Sequence, residues 1–89
     1  MAKLSPRAAR IKSAAGLAFG PRGLTKLAAA AKPKLSKQLL SLIVGDEREV
    51  TDDVYLRVAE ALAREADRMR AVAVKLDKMA LQMLREMEE

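Results

Sequence analysis

Cysteine, histidine and tryptophan are all missing from these 89 residues, and each absence closes a chemistry. Without Cys there is no disulfide, no thiolate nucleophile and no thiolate metal site. Without His there is no Ser-His-Asp triad and no imidazole ligand. No metal, cofactor or small-molecule ligand is expected, and the chain reads as a binding protein, not an enzyme. Aromatics are nearly absent as well: Phe19 and Tyr55 are too few for a base-stacking platform or an interfacial membrane anchor. No apolar run approaches the ~18 residues of a membrane span. The start alternates basic and apolar residues and lacks the continuous core of a secretory signal. Basic amphipathic helices do bind anionic lipid, but the balance of these features predicts a soluble, cytoplasmic protein with no membrane partner.

Acid is missing from half of the chain. Residues 1–44 hold nine basic residues (Lys3, Arg7, Arg10, Lys12, Arg22, Lys26, Lys32, Lys34, Lys37) and no Asp or Glu. Residues 45–89 hold the other eight basics and all twelve acids, so +9 and −4 sum to the net +5. A basic half beside a mildly acidic one suggests a polyanion-binding face joined to something else. A single domain this short buries only about 60% of its unfolded surface. With disulfides and Cys/His metal sites excluded, oligomerisation is the remaining common source of stability.

Glycine and proline punctuate the chain only as far as Gly45, and from Thr51 onward there is neither. Ser5-Pro6 reads as an N-cap and first helical residue. Leu4, Ala8, Ile11, Ala15 and Ala18 then follow on one helical face, until Gly20-Pro21 and the Arg22-Gly23 turn. A second helix is expected from Leu24 to Ala31, stopped by Lys32-Pro33-Lys34. A third is expected over residues 36–44, with Ser36 as N-cap and Gly45 as terminator. Leu35, Leu39, Leu40 and Ile43 give it an inner face, while Lys37, Gln38 and Ser41 fall outside. Residues 46–50 read as a polar loop. Thr51-Asp52-Asp53 opens further helix, expected either to break in two near Arg64–Asp67 or to bend there.

Two short helices joined by a turn, the second exposing Lys37, Gln38 and Ser41, describe a helix-turn-helix. Small residues around Ala28 let the pair approach, and polar side chains near the N-terminus of the second helix meet base edges. Residues 24–62 resemble the small Cro-like, λ-repressor-like (Xre-type) regulators. The resemblance rests on Leu24-Thr25-Lys26-Leu27-Ala28, on Leu35-Ser36-Lys37-Gln38-Leu39-Leu40-Ser41, on Gly45 and on Val58-Ala59-Glu60-Ala61-Leu62. Phe19-Gly20-Pro21-Arg22 is similar to the lead-in of one bacterial subgroup. The chain departs from the pattern between the two helices, where it has no Gly and about two extra residues, Pro33-Lys34.

The resemblance implies a double-stranded DNA partner, base contacts from Lys37, Gln38 and Ser41, and Thr25 and Lys26 near the phosphate backbone. Helix 36–44, opening at Ser36, would favour a phosphate at its N-terminus. Electrostatics adds Arg22, Lys32, Lys34 and Arg48 as phosphate contacts. Plainer readings compete. Lys37-Gln38 could be only a solvated face, and residues 28–34 are similar to a linker-histone tail. Against the tail stand Leu4, Ile11, Leu17, Phe19 and the apolar residues from Leu24 to Val44, enough for a small core. Residues 1–10 are left open between a mobile DNA-contacting arm and an ordered first helix. Leu42 either touches a thymine methyl group or joins the core, the core being preferred.

The last part has a seven-residue period of its own. Tyr55, Leu62, Met69, Leu76 and Met83 recur, as do Ala59, Ala66, Ala73 and Ala80. Such a period argues for helix packing along a seam, either within the chain or between two copies. The predicted protein is an all-α chain of four to five helices. Residues 1–62 form the helix-turn-helix domain, and 63–89 a dimerisation helix using Leu62, Ala66, Met69, Ala73, Leu76, Ala80 and Met83. The function expected is a nucleoid-associated, homodimeric repressor or controller. An architectural DNA-binding protein, or an antitoxin or antiactivator working through the last helix, are the alternatives.

Overall fold

The computed structural model describes residues 5–88. In chain order these form α1 (Pro6–Phe19), a 3-10 turn (Gly20–Arg22), α2 (Gly23–Ala30), α3 (Lys37–Val44) and α4 (Asp52–Glu88). No strand occurs among the described residues, so the chain is all-α.

Side-chain caps start three of the helices. The Ala8 amide donates to Ser5 Oγ at 3.1 Å, the Leu39 amide to Ser36 Oγ at 3.0 Å, and the Val54 amide to Thr51 Oγ1 at 3.2 Å. Each bond satisfies an amide that the first turn would otherwise leave without a partner. Helix α1 stops at Gly20, whose φ of 76° is open to glycine and strained for other residues. Residues 5–10 therefore belong to α1 and its cap, which corrects the arm alternative there; residues 1–4 lie outside the described residues.

Gly23 serves twice. It closes the 3-10 turn, its amide donating to the Gly20 carbonyl, and it is also the first residue of α2, one position earlier than expected, buried against α1. A β-carbon there would sit 2.3 Å from the Ala15 carbonyl oxygen, so the two backbones meet with no room for a side chain. The end of α3 differs too. Gly45 has an ordinary φ of −87°, and the left-handed residue is Asp46, at φ 63°. The Asp46 amide donates to the Ile43 carbonyl at 3.1 Å and the Glu47 amide to the Leu42 carbonyl at 2.8 Å. This is a Schellman ending displaced one residue beyond the glycine, with Asp in the position glycine usually takes.

Ala8, Ile11 and Ala15 of α1, Leu27 and Ala28 of α2, Leu40 and Ile43 of α3, and Val54, Val58 and Ala61 of α4 form one core. The connection over residues 31–36 contributes Ala31 and Leu35, and the Leu35 amide donates to the Ala28 carbonyl at 3.1 Å. The two extra residues, Pro33 and Lys34, thus bulge outward from a segment fixed by buried neighbours. Leu17, counted as core from its type, is 88% exposed on the outer face of α1.

Helix α4 runs unbroken for 37 residues, where a break or bend near Arg64–Asp67 was expected. Ion pairs Glu65–Arg68 and Asp67–Arg70, each three residues apart, lie across that stretch, and no Gly or Pro interrupts it. At 1.5 Å per residue the helix is roughly 55 Å long, nearly the molecule's full 61 Å. Its last buried apolar residue is Ala61, and residues 67–88 are exposed throughout. Polar contacts root it at the core, among them a bond from Arg10 Nη1 to the Tyr55 hydroxyl at 2.9 Å. Arg64 Nη2 donates to the Ala30 carbonyl at 2.8 Å, closing the end of α2. Arg7 Nη1 donates to Asp52 Oδ1 at 2.7 Å, with the Arg7 guanidinium 4.7 Å from the Tyr55 ring centre.

Candidate nucleic-acid interface

The base-reading candidates are built on α3. Its inner residues Leu40 and Ile43 are fully buried, which turns Lys37, Gln38 and Ser41 outward; all three are exposed. They line one shallow hollow together with Leu42 and Glu47. Leu42 is half-buried there and is not part of the core, which corrects its preferred assignment and leaves an apolar contact beside the polar ones. Glu47, absent from the sequence-based candidates, is carried to this hollow by the Schellman turn. Ser36 is exposed, but its hydroxyl already accepts the capping bond from Leu39.

Arg22, at the end of the 3-10 turn, and Thr25, in the first turn of α2, are exposed. Both line an open cleft of about 670 Å³ between α1, α2 and the start of α3. Lys12 of α1 and Lys37 of α3 line the same cleft. In the sequence Lys12 stands out only as one of the nine basic residues of the first half. The signal available for it was its position one helical turn before Gly16, in a stretch where Gly16 and Gly20 leave the backbone bare. Lys26, Lys32 and Lys34 are exposed but line neither hollow. Arg48 is separated from the others: it faces a hollow shared with Ser5, Pro6 and Arg7, among Asp46, Glu47 and Glu49.

The charge balance follows from who is paired. Arg7, Arg57, Arg68 and Arg70 form ion pairs, three of them within α4. Among the described residues, Lys12, Arg22, Lys26, Lys32, Lys34 and Lys37 have no carboxylate within ion-pair distance. Glu65 is the one buried charged residue among the described ones. Arg68 grips it with both nitrogens, the Nη2 bond being 3.1 Å, and this bonding lowers the Glu65 carboxyl below its ordinary value against the opposing effect of desolvation.

The candidate seam divides in two. Leu62 is half-buried against the chain's own core and Ala66 is half-buried; Met69, Ala73, Leu76, Ala80 and Met83 are exposed. Val72 and Met79 are exposed as well, so Met69, Val72, Leu76, Met79 and Met83 recur at alternating spacings of three and four. That 3–4 alternation is the spacing apolar residues take in coiled coils, and Ala73 and Ala80 lie along its flank. Among the described residues no helix is long and apolar enough to cross a membrane, and no group of three or more acids is placed to hold a metal ion. The chain matches no protein-family model, no curated protein and no solved structure.

Proposed function

We propose that the protein is a sequence-specific double-stranded DNA-binding regulator, a repressor or controller that acts as a homodimer. Helix α3 enters the major groove and presents Lys37, Gln38 and Ser41; Arg22, Thr25, Lys26, Lys32 and Lys34 face the flanking phosphates. The C-terminal part of α4 joins two copies along Met69, Leu76 and Met83, so that each copy takes one half of an inverted repeat. The observation that carries this reading is the exposed polar face of α3, held by a buried inner face and set among unpaired cations in an acid-free half of the chain. Gln and Lys are the residue types whose donors suit adenine and guanine edges in the major groove. The resemblance to Xre-type regulators points the same way.

Selecting bound fragments from random DNA tests the proposal. A symmetric motif is the expected result. Binding without enrichment would leave an architectural protein, whose cations hold the duplex whatever its sequence. Gln38→Ala should relax the preference at one base pair of each half-site, a loss of about 1–3 kcal/mol in discrimination. Equal losses on the selected site and on random DNA would remove Gln38 from the readers.

A further inference from the structure

We infer that Lys12, Arg22 and Lys37 together form a clamp for one stretch of phosphodiester backbone, so that Lys37 serves the phosphates and base reading falls to Gln38 and Ser41. The inference rests on the DNA-binding reading above and narrows it.

Three observations carry it. The three cations come from three separate elements, α1, the 3-10 turn and α3, yet line one cleft. That cleft has no acidic residue in its lining, and none of the three cations pairs with a carboxylate among the described residues. The hollow on the other side of Lys37 differs in kind, since there Gln38, Ser41 and Leu42 lie beside the carboxylate of Glu47. Lys37 is the residue common to both hollows. On one side it shares a hollow with two like charges; on the other it shares one with an acid.

A phosphate oxyanion suits the first hollow on chemical grounds. Lys ammonium groups are point charges with rotatable donors, and the Arg guanidinium adds a planar fork. Gly16 and Gly20, with open space where a side chain would stand, form part of the wall, so there no side chain stands between a ligand and the backbone. The second hollow suits base edges instead: amide and hydroxyl groups to donate and accept, an apolar contact for a methyl group, and a carboxylate that repels phosphate and can accept from a cytosine amino group. Gathering a phosphate on one side of Lys37 and bases on the other would fix the register of α3 along the groove, because phosphate contacts position and base contacts specify.

The test measures binding of the full-length chain to a mixed-sequence duplex over a series of KCl concentrations, beside motif selection from random DNA. Lys12→Gln and Lys37→Gln should each flatten the slope of log affinity against log salt by about 0.9, the value for one lost phosphate contact on B-DNA. Lys75→Gln, on the exposed part of α4, should leave the slope alone. The motif selected by Lys37→Gln should match the wild-type motif, while Gln38→Ala should change it. Inorganic phosphate should displace the duplex no better than chloride at equal ionic strength. An unchanged slope for Lys12→Gln and Lys37→Gln, or a changed motif for Lys37→Gln, overturns the clamp and leaves DNA binding standing. Displacement by phosphate above its ionic-strength effect would mean a free-anion site and also overturns it. Failure of the wild-type chain to bind any duplex removes the DNA reading, and the clamp with it.

Discussion

At Gly23 the backbones of α1 and α2 touch, and the contact is set by the lack of a side chain. In Gly23→Ala the new methyl group would meet the Ala15 carbonyl, which belongs to a helix backbone and cannot rotate aside. Overpacking of this kind costs roughly 1–3 kcal/mol, or several degrees in the thermal midpoint for a domain of this size. A melt indistinguishable from wild type would mean that the helices can part without loss. Asp46 gives the opposite expectation. It holds a left-handed conformation that glycine adopts without strain, so Asp46→Gly should raise stability by about 1 kcal/mol; a lower midpoint in urea would count against the Schellman turn. Glu65 supplies a pH dependence. Its folded carboxyl titrates lower than its unfolded one, so the native state binds fewer protons. The resulting stability is present above the unfolded value and is lost as pH falls through the folded one. Glu65→Gln should flatten the acid limb of a plot of urea midpoint against pH, and an unaltered limb would show that Arg68 does not hold the carboxylate in solution.

Among the elements, what the sequence disclosed was local. Ser5, Ser36 and Thr51 were legible as caps because capping joins residues only three apart, and Pro6 and Gly20 because their backbone preferences belong to the residue itself. The inner face of α3 was legible from the spacing of Leu40 and Ile43. What was not legible joins distant residues. Gly23 meets Ala15 across a turn, and Arg7 meets Tyr55 and Asp52 some 45 positions away, so no local pattern announces either. The candidate interface follows the same division. Lys37, Gln38 and Ser41 could be placed on one face by helical spacing, but that Lys12 shares a cleft with Lys37 depends on how α1 crosses α3. Glu47 was missed because its position depends on the turn ending at Asp46 and not at Gly45. If Glu47 stands beside the reading face, Glu47→Gln should tighten binding to all duplexes at low salt and shift the preference at one base pair. Tightening without any shift would make it a repulsive neighbour only, and no change at all would place it away from DNA.

On the scale of the whole molecule, a core made by four helices carries a rod that leaves it after Ala61. The apolar stripe on that rod, Met69 to Met83, has no cover among the described residues. Paired charges along α4 keep the rest of its surface polar. If two copies meet there, the double substitution Met69→Glu with Leu76→Glu should give a monomer by light scattering that binds half-sites weakly while its core still melts cooperatively. A mass equal to wild type would place the subunit contact elsewhere. Spacing between the two half-sites should then sit near one helical turn of DNA, roughly 34 Å. The freestanding rod also bears on how the molecule breathes. A helix supported by tertiary packing only at its first end has little to stop its far turns from opening. In dilute protein, backbone amides should exchange with deuterium slowly up to about Glu65 and progressively faster toward Glu88. At concentrations where the rods associate, that gradient should level out, making amide protection along this single helix a residue-by-residue gauge of how far along its length a second chain reaches.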